Sequence, residues 1–528
     1  MVIKSFLWQH VYSYSTCPKV TPIQKTIRIV RNKMKTANSF SINVRNNTMK
    51  QLIVDRFSWL QEKAPGFLID SSKVQIIHEP TDFYSILLEK AKNVRQRIIL
   101  GSLYIGTGEL EKNLIKAIEQ SLVNSNGKVK VNILLDYMRG TRGQTNSVKM
   151  LEPLLKNKYV DSCSISLYHT PKLKGLLKLI LPNRFNELIG LQHMKIYIFD
   201  DSVIISGANL SNDYFVNRQD RYFLIEDCKE LSDFYYKLIS LVAKFSFQLL
   251  PDNKLVAPIL FNSTTKSNDQ NTLKTTVVQN TTFIELARNE LTTFYTNEIK
   301  KSHDSQHKLL NGYNNKSLDT WIFPLIQMGQ LEIFYECQIT QKLLKTAPEK
   351  SILQFATGYF NLTKEYSNAL LNDCKASCNL LTAHPTANGF YGAKGIAGQI
   401  PAAYTIIEKS FFDSCERMNL NNRIKLEEYI RPGWTYHAKG LWYTLPNEQK
   451  PSLTLIGSSN FGYRSVHRDL ETQLVLITRN AKLQNCLQEE YDRLRKYAQP
   501  VKRESFSQYE KSIPNWVYAA VFLFRYYF

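Results

Sequence analysis

The sequence predicts an α/β fold assembled from two similar halves, and three observations lead there. A constellation built on His-x-Lys occurs once in each half of the 528-residue chain. A strand, helix and strand pattern precedes each copy. A polar stretch without periodicity, 262–272, separates the two.

In chain order, the first 54 residues carry nine Lys and Arg and no acid, with hydroxyl and apolar residues between them. Basic, hydroxylated, acid-free N-termini have the composition of mitochondrial targeting segments, because a positive amphipathic segment is drawn toward a negative interior. Residues 1–54 are read that way, with a disordered basic arm as the alternative. The first domain is placed at 55–262. In it 97–104 reads as a buried strand, 109–122 as a helix and 128–135 as a strand. The second domain is placed at 263–500, with a strand over 351–359, a helix near 364–372 and a strand near 376–381. The remainder, 501–528, is an aromatic tail. Its last stretch, 516–528, is too short to cross a bilayer, and either lies at a lipid interface or docks on the core as a terminal helix.

The repeated constellation is closely matched. In the first half His193 and Lys195 are followed by Asp200, Asn209 and Asp220; in the second half His437 and Lys439 are followed by Asn460 and Glu471. Both Asn-to-acid intervals are 11 residues, whereas the His-to-Asn intervals are 16 and 23. The excess of 7 matches the loop-like segment 446–452, where a hairpin lengthens without moving its strands. Alone, His with Lys two positions on reads as a surface pair on a strand. Two copies with Asn and acid at matching offsets read as a site.

Those groups suit phosphodiester chemistry. The transition state needs cations and amide donors, which Lys195, Lys439, Asn209 and Asn460 supply. One imidazole attacks phosphorus while the other protonates the leaving oxygen, splitting one hard step into two. Each His needs a carboxylate on its other ring nitrogen, and Asp220 and Glu471 are the candidates. No metal and no cofactor is required.

Composition bounds the partners. The formal net charge of +21 and pI near 9.4 favour nucleic acid or an anionic membrane. Without the nine N-terminal charges the body still carries +12 (21 − 9). The longest apolar runs, such as 352–356, fall far short of the ~20 residues of a transmembrane helix. The eight cysteines lack zinc-type spacing and read as reduced structural thiols. His303 and His307, four apart among charged residues, read as a solvated helix surface.

The repeated His-x-Lys with Gly457-Ser458-Ser459-Asn460 downstream resembles the phospholipase D superfamily. The blocks 184–197, 206–222, 134–142, 387–391 and 436–440 are similar, within it, to the eukaryotic phosphatidylglycerophosphate synthases of mitochondria. The resemblance runs from about Ile76 to Tyr497. It implies two tandem domains of that type, each a mixed sheet flanked by helices, sharing one active site at a pseudo-twofold interface. It also implies transfer of a phosphatidyl group from CDP-diacylglycerol to sn-glycerol 3-phosphate, with release of CMP, by a peripheral enzyme of the mitochondrial inner membrane facing the matrix. His193 is then the nucleophile and His437 the acid and base, an assignment that sequence symmetry leaves open to reversal. One departure stands out: Thr444 occupies the place of a superfamily Asp, which reads as the loss of a structural hydrogen bond, while its counterpart Asp200 stays among the candidate catalytic residues.

Arg139, Arg142, Arg218, Arg221, Arg464 and Arg468, in loops near the motifs, are candidates for the substrate phosphates. The basic, leucine-rich stretch 172–181 rests on anionic lipid or forms an amphipathic core helix. The alternatives are a DNA-end-processing phosphodiesterase, cardiolipin or phosphatidylserine synthesis on the same scaffold, and a degenerate lipid-binding member.

Overall fold

The computed structural model describes residues 55–156, 158–171, 189–258, 280–312, 318–510 and 513–525. The targeting segment, the linker 262–272 with its domain boundary, and the stretch 172–181 lie outside the described residues.

In chain order the strands of the first part are β1 (Phe67–Asp70), β2 (Val74–Ile77), β3 (Arg97–Gly101), β4 (Lys130–Asp136), β5 (Cys163–Tyr168) and β6 (Ile196–Phe199). β7 (Ser202–Ser206), β8 (Arg218–Gln219), β9 (Tyr222–Ile225), β10 (Phe247–Leu249) and β11 (Leu255–Val256) complete it. After helix Asn280–Gly312 come β12 (Leu318–Met328), β13 (Ile352–Thr357), β14 (Ser377–Ala383), β15 (Ile424–Tyr429) and β16 (Thr435–Tyr436). β17 (Gly440–Thr444), β18 (Leu453–Gly457), β19 (Leu470–Thr478) and β20 (Ala498–Pro500) follow.

Two nine-stranded sheets result, ordered β11-β10-β5-β4-β3-β6-β7-β9-β2 and β1-β12-β19-β18-β17-β13-β14-β15-β20. From β10 and from β20 onward, eight strands of each run in the same order and directions. β3, β4 and β5, like β13, β14 and β15, are mutually parallel, and their neighbours on both sides are antiparallel. The duplication read from the motifs is thus a duplication of mixed sheets.

The central strands are apolar on both faces because helices cover both, as parallel strands require. Ile98 and Leu100 of β3 join a core with Phe83, Leu87 and Ala91 of helix Pro80–Asn93 and Leu114, Ile118 and Leu122 of helix Glu109–Asn124. Those helices present apolar residues at three- and four-residue spacing. On the other face Gly101 lies against Ile239 of helix Lys229–Lys244.

The first domain does not keep its own leading segment. β1 pairs antiparallel with β12, Phe67 opposite Ile322, so it edges the second sheet. Phe57 meets Tyr443 edge-on at 5.3 Å, and Arg56 donates to the Thr346 carbonyl. The 11-residue β12 otherwise offers a long unpaired edge, and β1 covers its first part, Leu318 to Ile322. His303, expected at a solvated surface, instead has Nε2 2.7 Å from the Gln61 carbonyl and ties helix Asn280–Gly312 to this segment.

At the other end, helices Arg503–Glu510 and Asn515–Phe524 both pack on helix Ile400–Arg417. Among the described residues no helix is long and apolar enough to cross a membrane, and the described cysteines are free thiols.

Candidate active site

Each histidine stands three residues before a hairpin, His193 before β6–β7 and His437 before β17–β18. In the first hairpin Phe199 faces Ser202 across a two-residue turn; in the second Tyr443 faces Leu453. The extra seven residues of the second motif are therefore all in the connection, and both pairs of strands keep the same geometry.

The chain segments carrying the histidines cross to the opposite half. Gln192 bridges in parallel to Leu470, and the His193 amide donates to the Leu470 carbonyl at 2.8 Å. In the same way Tyr436 pairs with Gln219, and the His437 amide donates to the Gln219 carbonyl at 2.8 Å. Leu470 and Gln219 are the residues just before the two acids. Each ring thus meets the acid of the other half: His193 Nδ1 lies 2.9 Å from Glu471, and His437 Nδ1 lies 2.8 Å from Asp220. Glu471 and Asp220 are both wholly enclosed.

The electrostatics follow from burial. Both histidines are held well below the ordinary imidazole value, first by desolvation and then by the ammonium groups of Lys195 and Lys439. Lys439 Nζ sits 2.7 and 3.1 Å from the two ring nitrogens of His437, so an imidazolium there meets a like charge. Lys195 donates to the His193 carbonyl at 2.6 Å. Burial also lowers both lysines, Lys439 to about 8 and Lys195 well below its ordinary value. Asp220 is raised by burial to about 6, with Lys439 opposing the rise. At neutral pH each ring is a neutral imidazole whose Nδ1–H donates to a carboxylate, so the electron pair is on Nε2, which in His437 faces Lys439 Nζ at 3.1 Å.

The amides complete the site. Asn209 donates to the Tyr214 hydroxyl at 3.2 Å, and that hydroxyl lies 3.4 Å from His437 Nε2. The side-chain oxygens of Asn209 and Asn460 are buried without a partner. Turning either amide over aims its NH2 at the same place, and oxygen and nitrogen of an amide are assigned by their partners. Either amide can therefore present a donor where its unpartnered oxygen now stands.

The other expected residues divide. Asp200 is not brought to the histidines: its carboxylate accepts from the backbone amides of Arg95, Gln96 and Arg97 at 2.6–3.1 Å and pins the start of β3. Thr444, at the matching place, is buried at the end of β17 opposite Ile352. Arg221 has no donor left for a substrate. Its five N–H bonds go to both oxygens of Glu490, to Thr454 Oγ1 and to the carbonyls of Lys439 and Leu455. Arg218 lies over the Tyr214 ring at 4.7 Å and contributes to lowering His437, so it adjoins the site. Arg464 pairs with Asp469 at 3.1 Å and lowers His193. Arg139 stacks over Tyr104 at 4.5 Å, Arg142 is exposed, and Arg468 lies 5.9 Å from the Tyr463 ring centre.

Residue-level reasoning missed Asp469, Tyr214 and Tyr359. Asp469 precedes Glu471 by two, so strand alternation alone places both on one face. Arg218 holds that place before Asp220, which makes the two half-sites unequal in charge. His193, Asp469 and Glu471 bring ligand-type atoms within 4.8 Å of one another. Three of the four carboxylate oxygens are committed elsewhere, and Glu471 Oε2 is buried without a hydrogen-bond partner. Asp469 accepts from the Leu191 amide and faces Arg464, and Glu471 accepts from His193 and Ser465. Tyr359 lies edge-on to His437 at 5.5 Å, and nothing in its spacing marks it.

Comparisons place this geometry among known proteins. The chain is 41% identical over 476 residues to the mitochondrial CDP-diacylglycerol–glycerol-3-phosphate 3-phosphatidyltransferase of Gallus gallus, covering 88% of this chain and 85% of that one. It is 41% identical over 474 residues to the enzyme of the same name from Homo sapiens, with 88% and 84% covered. To the Saccharomyces cerevisiae CDP-diacylglycerol–glycerol-3-phosphate 3-phosphatidyltransferase it is 36% identical over 505 residues, with 92% of each covered. Among solved structures, the phosphatidylserine synthase of Haemophilus influenzae has a similar fold, with a TM-score of 0.63 at 19% identity over 89% of this chain and 96% of that one. No protein-family model matches the chain.

Proposed function

Since this chain belongs to the CDP-diacylglycerol–glycerol-3-phosphate 3-phosphatidyltransferase family, we propose that its paired histidines carry the phosphatidyl group through a phosphohistidine intermediate. The enzyme moves that group from CDP-diacylglycerol to sn-glycerol 3-phosphate and releases CMP. The observation that carries the mechanism is the exchange of acids, His193 with Glu471 and His437 with Asp220.

Glu471 holds the His193 proton on Nδ1, so the Nε2 pair is aimed outward. Nε2 attacks the phosphorus bearing the diacylglycerol, a P–N bond forms, and the P–O bond to CMP breaks with its electron pair leaving on CMP. With the pyrophosphate bound, His437 takes up a proton from solvent on Nε2, the resulting imidazolium being stabilised by Asp220 and by the phosphates, and delivers that proton to the leaving oxygen. In the second step the neutral His437 takes the proton of the glycerol hydroxyl, whose oxygen displaces His193 from phosphorus. Lys195, Lys439 and the turned amides of Asn209 and Asn460 neutralise the equatorial oxygens throughout. Arg218, on the His437 side, suits the second phosphate of either substrate.

The reading extends to place. The basic, acid-free composition of residues 1–54 and the relatives' mitochondrial name support a mitochondrial enzyme, and the lipid substrate supports peripheral attachment to the matrix face of the inner membrane, with no role for nucleic acid. The test is incubation of purified chain with CDP-diacylglycerol and labelled glycerol 3-phosphate in anionic-lipid micelles, beside His193→Ala and His437→Ala. Labelled lipid from the intact chain and from neither variant is expected. With radiolabelled CDP-diacylglycerol alone, acid-labile label on the chain that His193→Ala abolishes marks the nucleophile. Label surviving in His193→Ala would overturn the assignment.

A further inference from the structure

The terminal helix Asn515–Phe524 has one apolar face too many. Ile513, Val517 and Val521 recur at four-residue spacing and are buried against the body of the protein. A surface helix normally turns charge outward on its other side. Here that side carries Trp516, Tyr518, Phe522 and Leu523, which are 48, 39, 83 and 63% exposed. No Asp, Glu, Lys or Arg occurs between Trp516 and Leu523.

The helix ends at the wall of the active site. The Asn361 amide donates to the Arg525 carbonyl at 2.8 Å, and Asn361 is two residues from Tyr359, whose ring meets His437. Tyr359 also stacks on Tyr404 of helix Ile400–Arg417, the helix on which the terminal helix packs, and adjoins Phe390. Just beyond Phe390 stand two more exposed apolar side chains, Tyr391 and Ile396, each 63% exposed. They flank the exposed Lys394, and Gly389 before them lies against the Arg218 guanidinium.

We propose that the outward face of the terminal helix, together with Tyr391 and Ile396, seats the protein on an anionic lipid surface and brings the His437 side of the site to the membrane. Resting on the phosphatidyltransfer reading, it identifies the surface through which the diacylglycerol substrate is reached. An aromatic face with a cation beside it matches an interfacial lipid contact, since the rings enter the headgroup boundary while Lys394 and the net charge of +12 on the body meet anionic headgroups.

Flotation of the full chain with vesicles of two parts phosphatidylcholine to one part phosphatidylglycerol tests this. The double variant Phe522→Glu/Leu523→Glu is expected to lose vesicle binding about a hundredfold, since two large apolar side chains no longer leave water. Turnover of vesicle-borne CDP-diacylglycerol should fall with it, while turnover of a short-chain, water-dispersed CDP-diacylglycerol stays within about twofold, because neither side chain is part of the core. A second measurement is independent of these substitutions: an environment-sensitive dye on Phe522→Cys should shift to the blue on adding vesicles. Unchanged flotation of the double variant, an unshifted dye, or a lipid-free dimer that the variant dissociates would each overturn the proposal. An intact chain that binds vesicles through this face yet turns over neither substrate form would sink the transferase reading and leave the lipid surface standing.

Discussion

Arg221 offers the sharpest test of how the halves are joined. It follows Asp220 in the first half, yet all five of its donors end on second-half residues. Its ion pair with Glu490 spans 2.8 Å with side chains 1 and 5% exposed, and its guanidinium lies 3.7 Å from the centre of the Trp442 ring. Arg221→Ala strands the Glu490 carboxylate, with Trp442 Nε1 as a remaining donor, and unpairs two carbonyls. Removing one partner of such a buried pair costs about 3–5 kcal/mol. With a urea slope of about 3 kcal/mol/M or more for a chain of this size, the midpoint should fall by roughly 1 M. Arg221→Met/Glu490→Leu strands no charge and should recover at least ~1 kcal/mol of that loss. Urea titration followed by tryptophan fluorescence measures all three proteins. A loss under ~1 kcal/mol, the range of an exposed ion pair, would refute the reasoning.

The remaining predictions concern the site. The pH profile of kcat/KM should be a bell: below about 6 Asp220 takes up a proton and no longer accepts from His437, and above about 8 Lys439 loses its charge. Lys439→Arg should move the alkaline limb upward, because a guanidinium stays charged; an unmoved limb would assign it to another group. Asp220→Asn should lower kcat by about 10²–10⁴ by releasing the His437 tautomer, without the collapse of stability expected at Arg221. Asp200→Ala should do the reverse, costing about 1–3 kcal/mol for the backbone amides it leaves unpaired while kcat stays within about twofold. Glu336, hydrogen-bonded to Ser459 at 2.5 Å, is raised by burial to about 8. The folded chain keeps its proton where the unfolded chain has released it, so stability declines as pH rises from the ordinary carboxylate range to about 8. Glu336→Gln should remove that slope in urea titrations across the same window.

Local patterns made much of the fold legible. The apolar run at 97–104 announced β3 because a strand covered on both faces has no polar alternation to hide it. The expected helix at 109–122 is Glu109–Asn124, since its buried residues recur at helical spacing. The seven-residue excess was correctly placed in the second hairpin because a connection lengthens without disturbing a register. β1 was not legible in this way: nothing in Phe67–Asp70 says that its partner is β12, some 250 residues on in the chain, rather than the sheet that follows it. Arg221 likewise looked like a loop arginine, and only the packing of Glu490 and Trp442 around it shows where its donors go.

The sequence by itself determined which groups are the candidates for the chemistry. Two histidines, two lysines, two amides and two acids at matched offsets are written in the chain, because spacing along a strand and across a hairpin is a local property. Which acid serves which histidine was decided only by tertiary structure. His193 and Glu471 are 278 residues apart and His437 and Asp220 are 217 apart. Two parallel bridges, Gln192 to Leu470 and Tyr436 to Gln219, bring them together. Those bridges form between the two halves, so their register follows from how the halves pack, and no interval within either half encodes it.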